Sequence, residues 1–188
     1  VRLHYIELDS PTMEDPSSDC ARVECALEAE WGLKRLGWAH SARQSLAQIL
    51  RDGAWKATVA VREADCVIAV WPGFHDRTFG LAVDVGTTTI AAHLCNLASG
   101  EVVAALGAMN PQIRFGEDVM SRISYLQLNP DRAADPTAAV RATIDELATA
   151  ATAKAGIDPT EIVEATVVGN PTMHHMLLGL DSRQLGSA

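Results

Sequence analysis

Apolar residues change their spacing several times along the chain, and each change marks an element. Residues 1–8 alternate around Leu3, Tyr5 and Ile6, the period of a short strand, and Pro11 and Pro16 punctuate a loop behind it. From Asp15-Pro16 the period lengthens. Val23, Leu27 and Trp31 recur every fourth residue, which predicts a helix over about 16–31 that stops at Gly32. A second helix opens at His40-Ser41, carries Leu46, Ile49 and Leu50 as its stripe, and closes at Gly53. Two β-rich runs, 55–62 and 66–71, are separated only by Glu63-Ala64-Asp65 and read as a hairpin.

Residues 71–78 interrupt this pattern with Pro72, Gly73 and polar side chains, and they form the best domain boundary. Beyond them the chain turns strongly apolar. Strands are predicted over 81–85, 90–97 and 101–106, joined by turns at 86–89 and at Ser99-Gly100, so that three antiparallel strands form a meander. A loop over 110–116 precedes a helix over about 117–126, and Pro136 stands near the start of a longer helix reaching about 155. A buried-looking strand over 162–168 passes through the tight link Gly169-Asn170-Pro171 into a helix over 172–178. The expected architecture is a small α+β unit over 1–75, then an α/β unit over 79–188. The four tryptophans, Trp31, Trp38, Trp55 and Trp71, are expected in the core or at the boundary of the first unit, and Met173, Met176 and Leu177 in the core of the second.

Composition narrows the partners. The 188 residues are 48% hydrophobic and 21% charged, enough to bury a core in one large or two small domains. With 15 Lys and Arg against 24 Asp and Glu, the formal charge of −9 argues against a basic face for a phosphate backbone, so nucleic acid is not an expected partner. No apolar run approaches the ~20 residues of a membrane helix, and the N-terminus lacks a secretory pattern. The expected location is cytoplasmic, with no membrane partner. A start at Val1 and an end without a stop signal suggest a piece of a longer protein.

Cys20 and Cys25 have the spacing that opens a plant-type [2Fe–2S] run, but Glu28 stands where the next cysteine would be. On a helix, residues five apart also point about 140° away from each other. All four cysteines, at 20, 25, 66 and 95, are therefore expected to be reduced thiols. His174 and His175 are adjacent on a predicted helix, with no further ligand at metal spacing, and packing or surface roles suit them better.

The sharpest chemical signal is Ala82-Val-Asp84-Val-Gly86-Thr87-Thr88-Thr89-Ile90. Gly86 lets backbone come close to a ligand, successive N–H groups and threonine hydroxyls can donate to phosphate oxygens, and Asp84 can hold a hydrated Mg²⁺. Each hydrogen bond to a charged group contributes ~1.5–3 kcal/mol. The same residues would also suit an ordinary hairpin turn. A second candidate is the stretch from Asn110 to Arg122. Glu117, Asp118, Ser121 and Arg122 stand at a helix start, where Asp118 and Arg122 can pair at i, i+4. Asp118 suits a base, a ligand or an orienting group, or simply a carboxylate in the dipole field of a helix N-terminus. Gly169 and Asn170 end a strand and enter a helix, a position for ligand contact or for a helix cap.

The order strand, Asp-x-Gly-Thr-Thr turn, strand, turn, strand, helix resembles the first half of the ASKHA superfamily of acetate and sugar kinases, heat-shock chaperones and actin, where this turn is the first phosphate loop. A closer resemblance rests on Leu81-Ala-Val-Asp-Val-Gly-Thr-Thr-Thr-Ile90, whose turn identifies only the superfamily, and on two more specific stretches, Met109-Asn-Pro-Gln-Ile-Arg-Phe-Gly-Glu-Asp-Val-Met-Ser-Arg-Ile123 and Val167-Val-Gly-Asn-Pro-Thr-Met-His-His-Met-Leu-Leu-Gly-Leu180. With the strand–helix–helix–hairpin segment before them, they resemble the reductive activators of corrinoid-dependent methyltransferases and of the corrinoid iron–sulfur protein. The resemblance implies that residues 1–75 are the end of a linker and a middle α+β domain, and that 79–188 are the N-terminal portion of an incomplete, ribonuclease-H-like ASKHA domain.

It implies an ATP-dependent activator that returns Co(II) corrinoid to Co(I), with a [2Fe–2S] ferredoxin domain outside this chain as electron source. The implied partner is a corrinoid protein or corrinoid-dependent methyltransferase, and a homodimer is compatible with it. Implied cofactors are ATP and Mg²⁺. The catalytic candidates are Asp84 and Asp118; Asp84, Gly86, Thr87, Thr88, Thr89, Gly169 and Asn170 are the cofactor-binding candidates, Asp84 holding Mg²⁺ through water. Two departures matter: the ferredoxin cysteine run is absent, and a second, Gly-rich phosphate loop would lie beyond Ala188. The chain alone is thus expected to be inactive. A small-molecule kinase of the same superfamily, with Asp118 as base, and a non-catalytic nucleotide-binding module are the alternatives.

Overall fold

Alternation at the N-terminus becomes strand β1 (Arg2–Glu7), which places Ile6 inward, and Ser18 then starts helix α1 (Asp19–Trp31) by accepting a hydrogen bond from Ala21 N. Gly32 ends α1 in the left-handed conformation. A two-residue strand β2 (Gly37–Trp38), too short to leave a period in the sequence, leads into α2 (His40–Asp52). The hairpin of β3 (Lys56–Arg62) and β4 (Cys66–Pro72) completes this part. Its turn places Glu63 and Ala64 at φ 51° and 62°, a primed turn built without glycine. The sheet order is β1-β3-β4-β2, antiparallel except for β2 against β4. Ile6, Val59, Val61 and Val67 pack with Val23 and Leu27 of α1 and Leu46 and Leu50 of α2.

The computed structural model describes residues 1–186. Contacts divide the chain into Val1–Thr78 and Phe79–Ala188, each with its own hydrophobic core. Two details of the first unit differ from the sequence reading. Helix α1 begins at Asp19, because Pro16 and the turn made by Asp15 and Ser17 hold the preceding residues outside it. Trp31 is 49% exposed; its indole donates to Tyr5 O and lies edge-on to His4 at 4.9 Å. Trp38 and Trp55 lie at the margin of an aliphatic core, and Trp71 stacks on His75 at 4.5 Å.

The second unit opens with the meander β5 (Phe79–Val85), β6 (Thr89–Asn96) and β7 (Val102–Met109). A 3-10 turn over Pro111–Phe115, in the segment expected as loop, precedes α3 (Val119–Leu128) and α4 (Ala134–Ala155). Then β8 (Ile162–Gly169) runs parallel to β5, and α5 (Pro171–Leu178) follows. A parallel neighbour requires a crossover, and α3 and α4 supply it. The sheet order is β7-β6-β5-β8. Alternation sends Leu81, Val83, Val85, Ile90, Ala92 and Leu94 to one face, against Val140, Leu147 and Ala151 of α4 and Met173 and Met176 of α5. Ala82, Asp84 and His93 face the other way and are exposed. Among the described residues β8 pairs with β5, and Val168 near its end is 55% exposed.

Candidate functional site

Strands β5 and β8 end side by side, with Asp84 opposite Val168 and Val85 opposite Gly169. This register brings Asp84, the loop at 86–88, Gly169 and Asn170 to the carboxyl end of two adjacent parallel strands, where open α/β sheets bind ligands. Asp84 presents its carboxylate on the exposed face of the sheet. Between β5 and β6, Gly86 N donates to Thr89 O at 3.0 Å. A Cβ at Gly86 would lie 2.8 Å from that same oxygen, so the turn has no room for a side chain.

The loop's three carbonyls are all engaged by one buried cluster. Asn110 Nδ2 donates to Gly86 O and Asn110 N to Thr88 O, both at 2.8 Å, and Arg122 Nη2 donates to Thr87 O. A trans peptide holds its N–H opposite its C=O. The N–H groups of Thr87, Thr88 and Thr89 therefore point away from the cluster, the arrangement that makes a backbone anion site. Asn110 Oδ1 accepts from Gln112 N at 2.9 Å, and Gln112 Nε2 donates to Pro136 O at 3.0 Å. Arg122 Nε donates to Gly116 O at 2.9 Å, while its Nη1 meets Met173 Sδ at 3.4 Å. Asn110, Gln112 and Arg122 have no solvent exposure. Burial lowers the Arg122 pKa from its ordinary value, and the charge of Asp118 opposes that shift.

Pairing of Asp118 with Arg122, expected from their spacing, gives way to a capping box. Asp118 precedes α3 as its N-cap, and its Oδ1 accepts from Ser121 N at 2.7 Å and from the Ser121 hydroxyl at 2.6 Å. The Ser121 hydroxyl, then the Ser121 N–H, holds the Asp118 carboxyl below the usual carboxylate range. Asp118 is exposed, and from this helix it is Arg122 that reaches the loop. Glu117 also stands before the helix. Asn170 is the N-cap of α5, its Oδ1 accepting from Met173 N at 3.0 Å, and its side chain is exposed.

His174 lies beneath Gly169, and His175 contacts Asp181 O through Nδ1 at 3.1 Å. Among the described residues, no group of three or more His, Cys, Asp or Glu is arranged to hold a metal ion, and all four cysteines are free. No helix among them is long and apolar enough to cross a membrane. The buried Asn110, Gln112 and Arg122 cluster is the part of the site that the motif pattern did not reveal as such. Its signal was the run of amide and guanidinium side chains in Asn110-Pro-Gln112 and Ser121-Arg122, unusual beside a core strand.

The fold and site define a two-unit α+β protein whose second unit offers backbone amides and a carboxylate at the ends of parallel strands. The chain belongs to the RACo family: a family model described as the RACo middle region matches residues 79–188, and one described as the RACo linker region matches residues 1–77. The linker description thus falls on the first unit and the middle description on the second, where the sequence reading put the middle domain within 1–75. A curated relative, the corrinoid activation enzyme RamQ of Eubacterium limosum, is 36% identical over 110 residues, 58% of this chain and 18% of its own length. A solved structure named reductive activator for corrinoid, iron-sulfur protein matches 99% of this chain at 35% identity with a TM-score of 0.79. This chain covers 30% of that structure.

Proposed function

We propose that this chain is the linker and first phosphate-binding part of an ATP-dependent reductive activator that returns a Co(II) corrinoid protein to Co(I). The observation that carries the reading is the meeting of the Asp84–Thr89 loop with Gly169 and Asn170 at the carboxyl ends of β5 and β8. The names of the relative and of the solved structure point to corrinoid activation. The order of three antiparallel strands, helices and a parallel fourth strand beside the first agrees with the opening half of a ribonuclease-H-like ASKHA domain.

The residues present suit Mg-ATP. With the carbonyls of Gly86, Thr87 and Thr88 drawn inward, the amides after them face outward for phosphate oxygens, and the hydroxyls of Thr87, Thr88 and Thr89 add donors. Asp84 suits a hydrated Mg²⁺, which prefers one or two carboxylates plus water and phosphate. Asn170 brings an amide nitrogen and the positive end of α5. When bound, ATP supplies through its hydrolysis the free energy for the uphill reduction, the electron coming from a [2Fe–2S] domain elsewhere in the full-length protein. Nucleotide biases the conformation that holds the corrinoid partner, through its different affinity for the two states. The setting is cytoplasmic.

A kinase reading would need Asp118 to take a proton. Its carboxylate is already bound by the Ser121 hydroxyl and N–H and sits below the usual range, which makes it a weak base. The test uses the full-length activator, a corrinoid protein of its host, reductant and ATP, and follows Co(I) by its absorbance. Co(I) should form faster with ATP than without. No acceleration with any corrinoid protein of the host overturns the proposal, and phosphorylation of a metabolite instead would favour the kinase.

A further inference from the structure

We infer that Arg122, with Asn110, is a positioning residue of the phosphate loop: it turns the Thr87 peptide and places an enclosed positive charge behind the amides that meet the nucleotide. This rests on the phosphate-binding reading above and extends it to residues that touch no ligand. Arg122 has no solvent exposure, and its acceptors are two backbone carbonyls, Gly116 O and Thr87 O, and the thioether of Met173. A buried charge normally brings a carboxylate partner, because desolvation is costly without one. The carboxylate within electrostatic reach, Asp118, is committed to Ser121 at the exposed start of α3.

If the role were only to pin carbonyls, neutral donors would serve, as Asn110 already does at Gly86 O. The guanidinium adds what a neutral donor lacks: a charge directed through the Thr87 peptide toward the loop's outer face, where an anion would complete it. The geometry also ties the two halves of the site together. Met173 Sδ touches both Arg122 Nη1 and Asn110 Nδ2, and Met173 N is the group that Asn170 caps. The loop after β5 and the start of α5 are thus held by one buried cluster.

The test compares wild type, Arg122→Met and Arg122→Lys in the full-length protein, measuring melting temperature without ligand, Mg-ATP affinity by calorimetry, and KM and kcat for hydrolysis. Met fills similar volume without charge or donors. Lys keeps the charge, but one ammonium replaces the planar fork that spans two carbonyls. Expected are a folded Arg122→Met protein with Mg-ATP affinity reduced at least tenfold and KM raised to match, and Arg122→Lys between it and wild type. A merely structural arginine would change the melting temperature and leave affinity alone. Wild-type affinity in folded Arg122→Met therefore overturns the inference. Should Arg122→Met fail to fold, Arg122→Lys decides: at least threefold weaker binding supports the inference, and wild-type affinity overturns it. A wild-type protein that binds no Mg-ATP would instead overturn the functional reading itself, and the inference with it.

Discussion

At Gly116 an added Cβ would lie 2.6 Å from Arg122 N and 2.7 Å from the Ser121 carbonyl carbon, both backbone atoms of the first turn of α3. Neither can move without moving the helix that carries Arg122. Gly116→Ala should therefore lower the unfolding free energy by ~1–3 kcal/mol, the usual range for overpacking, as measured by urea denaturation of this chain. An unchanged midpoint and slope would show that the turn yields freely. At this scale Asp84, Gly86 and the three threonines were legible, because their chemistry lies within one short motif. Asn110 and Arg122 were visible as residue types only. Their partners, Gly86 O and Thr87 O, are 24 and 35 positions away, and no local period encodes such contacts.

Helix α3 depends on the capping box at its start, and this makes it sensitive to acid. The Asp118 pKa is lowered from the ordinary 3.8, so its folded value lies below its unfolded value. The stabilisation is then fully present above the unfolded value and is lost as pH falls through the folded one. Protection of the first-turn amides of α3, measured against the intrinsic exchange rate at each pH, should fall below about pH 4, the range of an unperturbed carboxylate. In Asp118→Ala that protection should be low already at neutral pH. Equal protection in both proteins at neutral pH would show that the cap does not hold the turn. Helices and central strands were legible as elements because the periods of Leu46 and Leu50, or of Leu81, Val83 and Val85, follow directly from burial on one face. The place of Trp31 was not: it keeps the helical period of Val23 and Leu27 but is half exposed, with its N–H on Tyr5 O of β1.

Across the whole chain, the candidate phosphate-binding residues all fall in the second unit. Residues 1–78 enclose an aliphatic core between one sheet and two helices and carry none of them. Residues 79–186 bring Asp84, the 86–89 loop, Gly169 and Asn170 to a single sheet end, backed by buried Asn110, Gln112 and Arg122. The boundary near residue 78 was legible from Pro72 and Gly73, but the buried cluster required the fold. The Asp84–Thr89 loop is proposed to bind the phosphates of Mg-ATP, and calorimetry on the full-length protein with Asp84→Ala is the test. Asp84 is exposed, so the variant should melt like wild type. Its Mg-ATP affinity should fall at least tenfold, a loss of about 1.4 kcal/mol or more. Wild-type affinity in that variant would contradict the claim and place the nucleotide elsewhere in the protein.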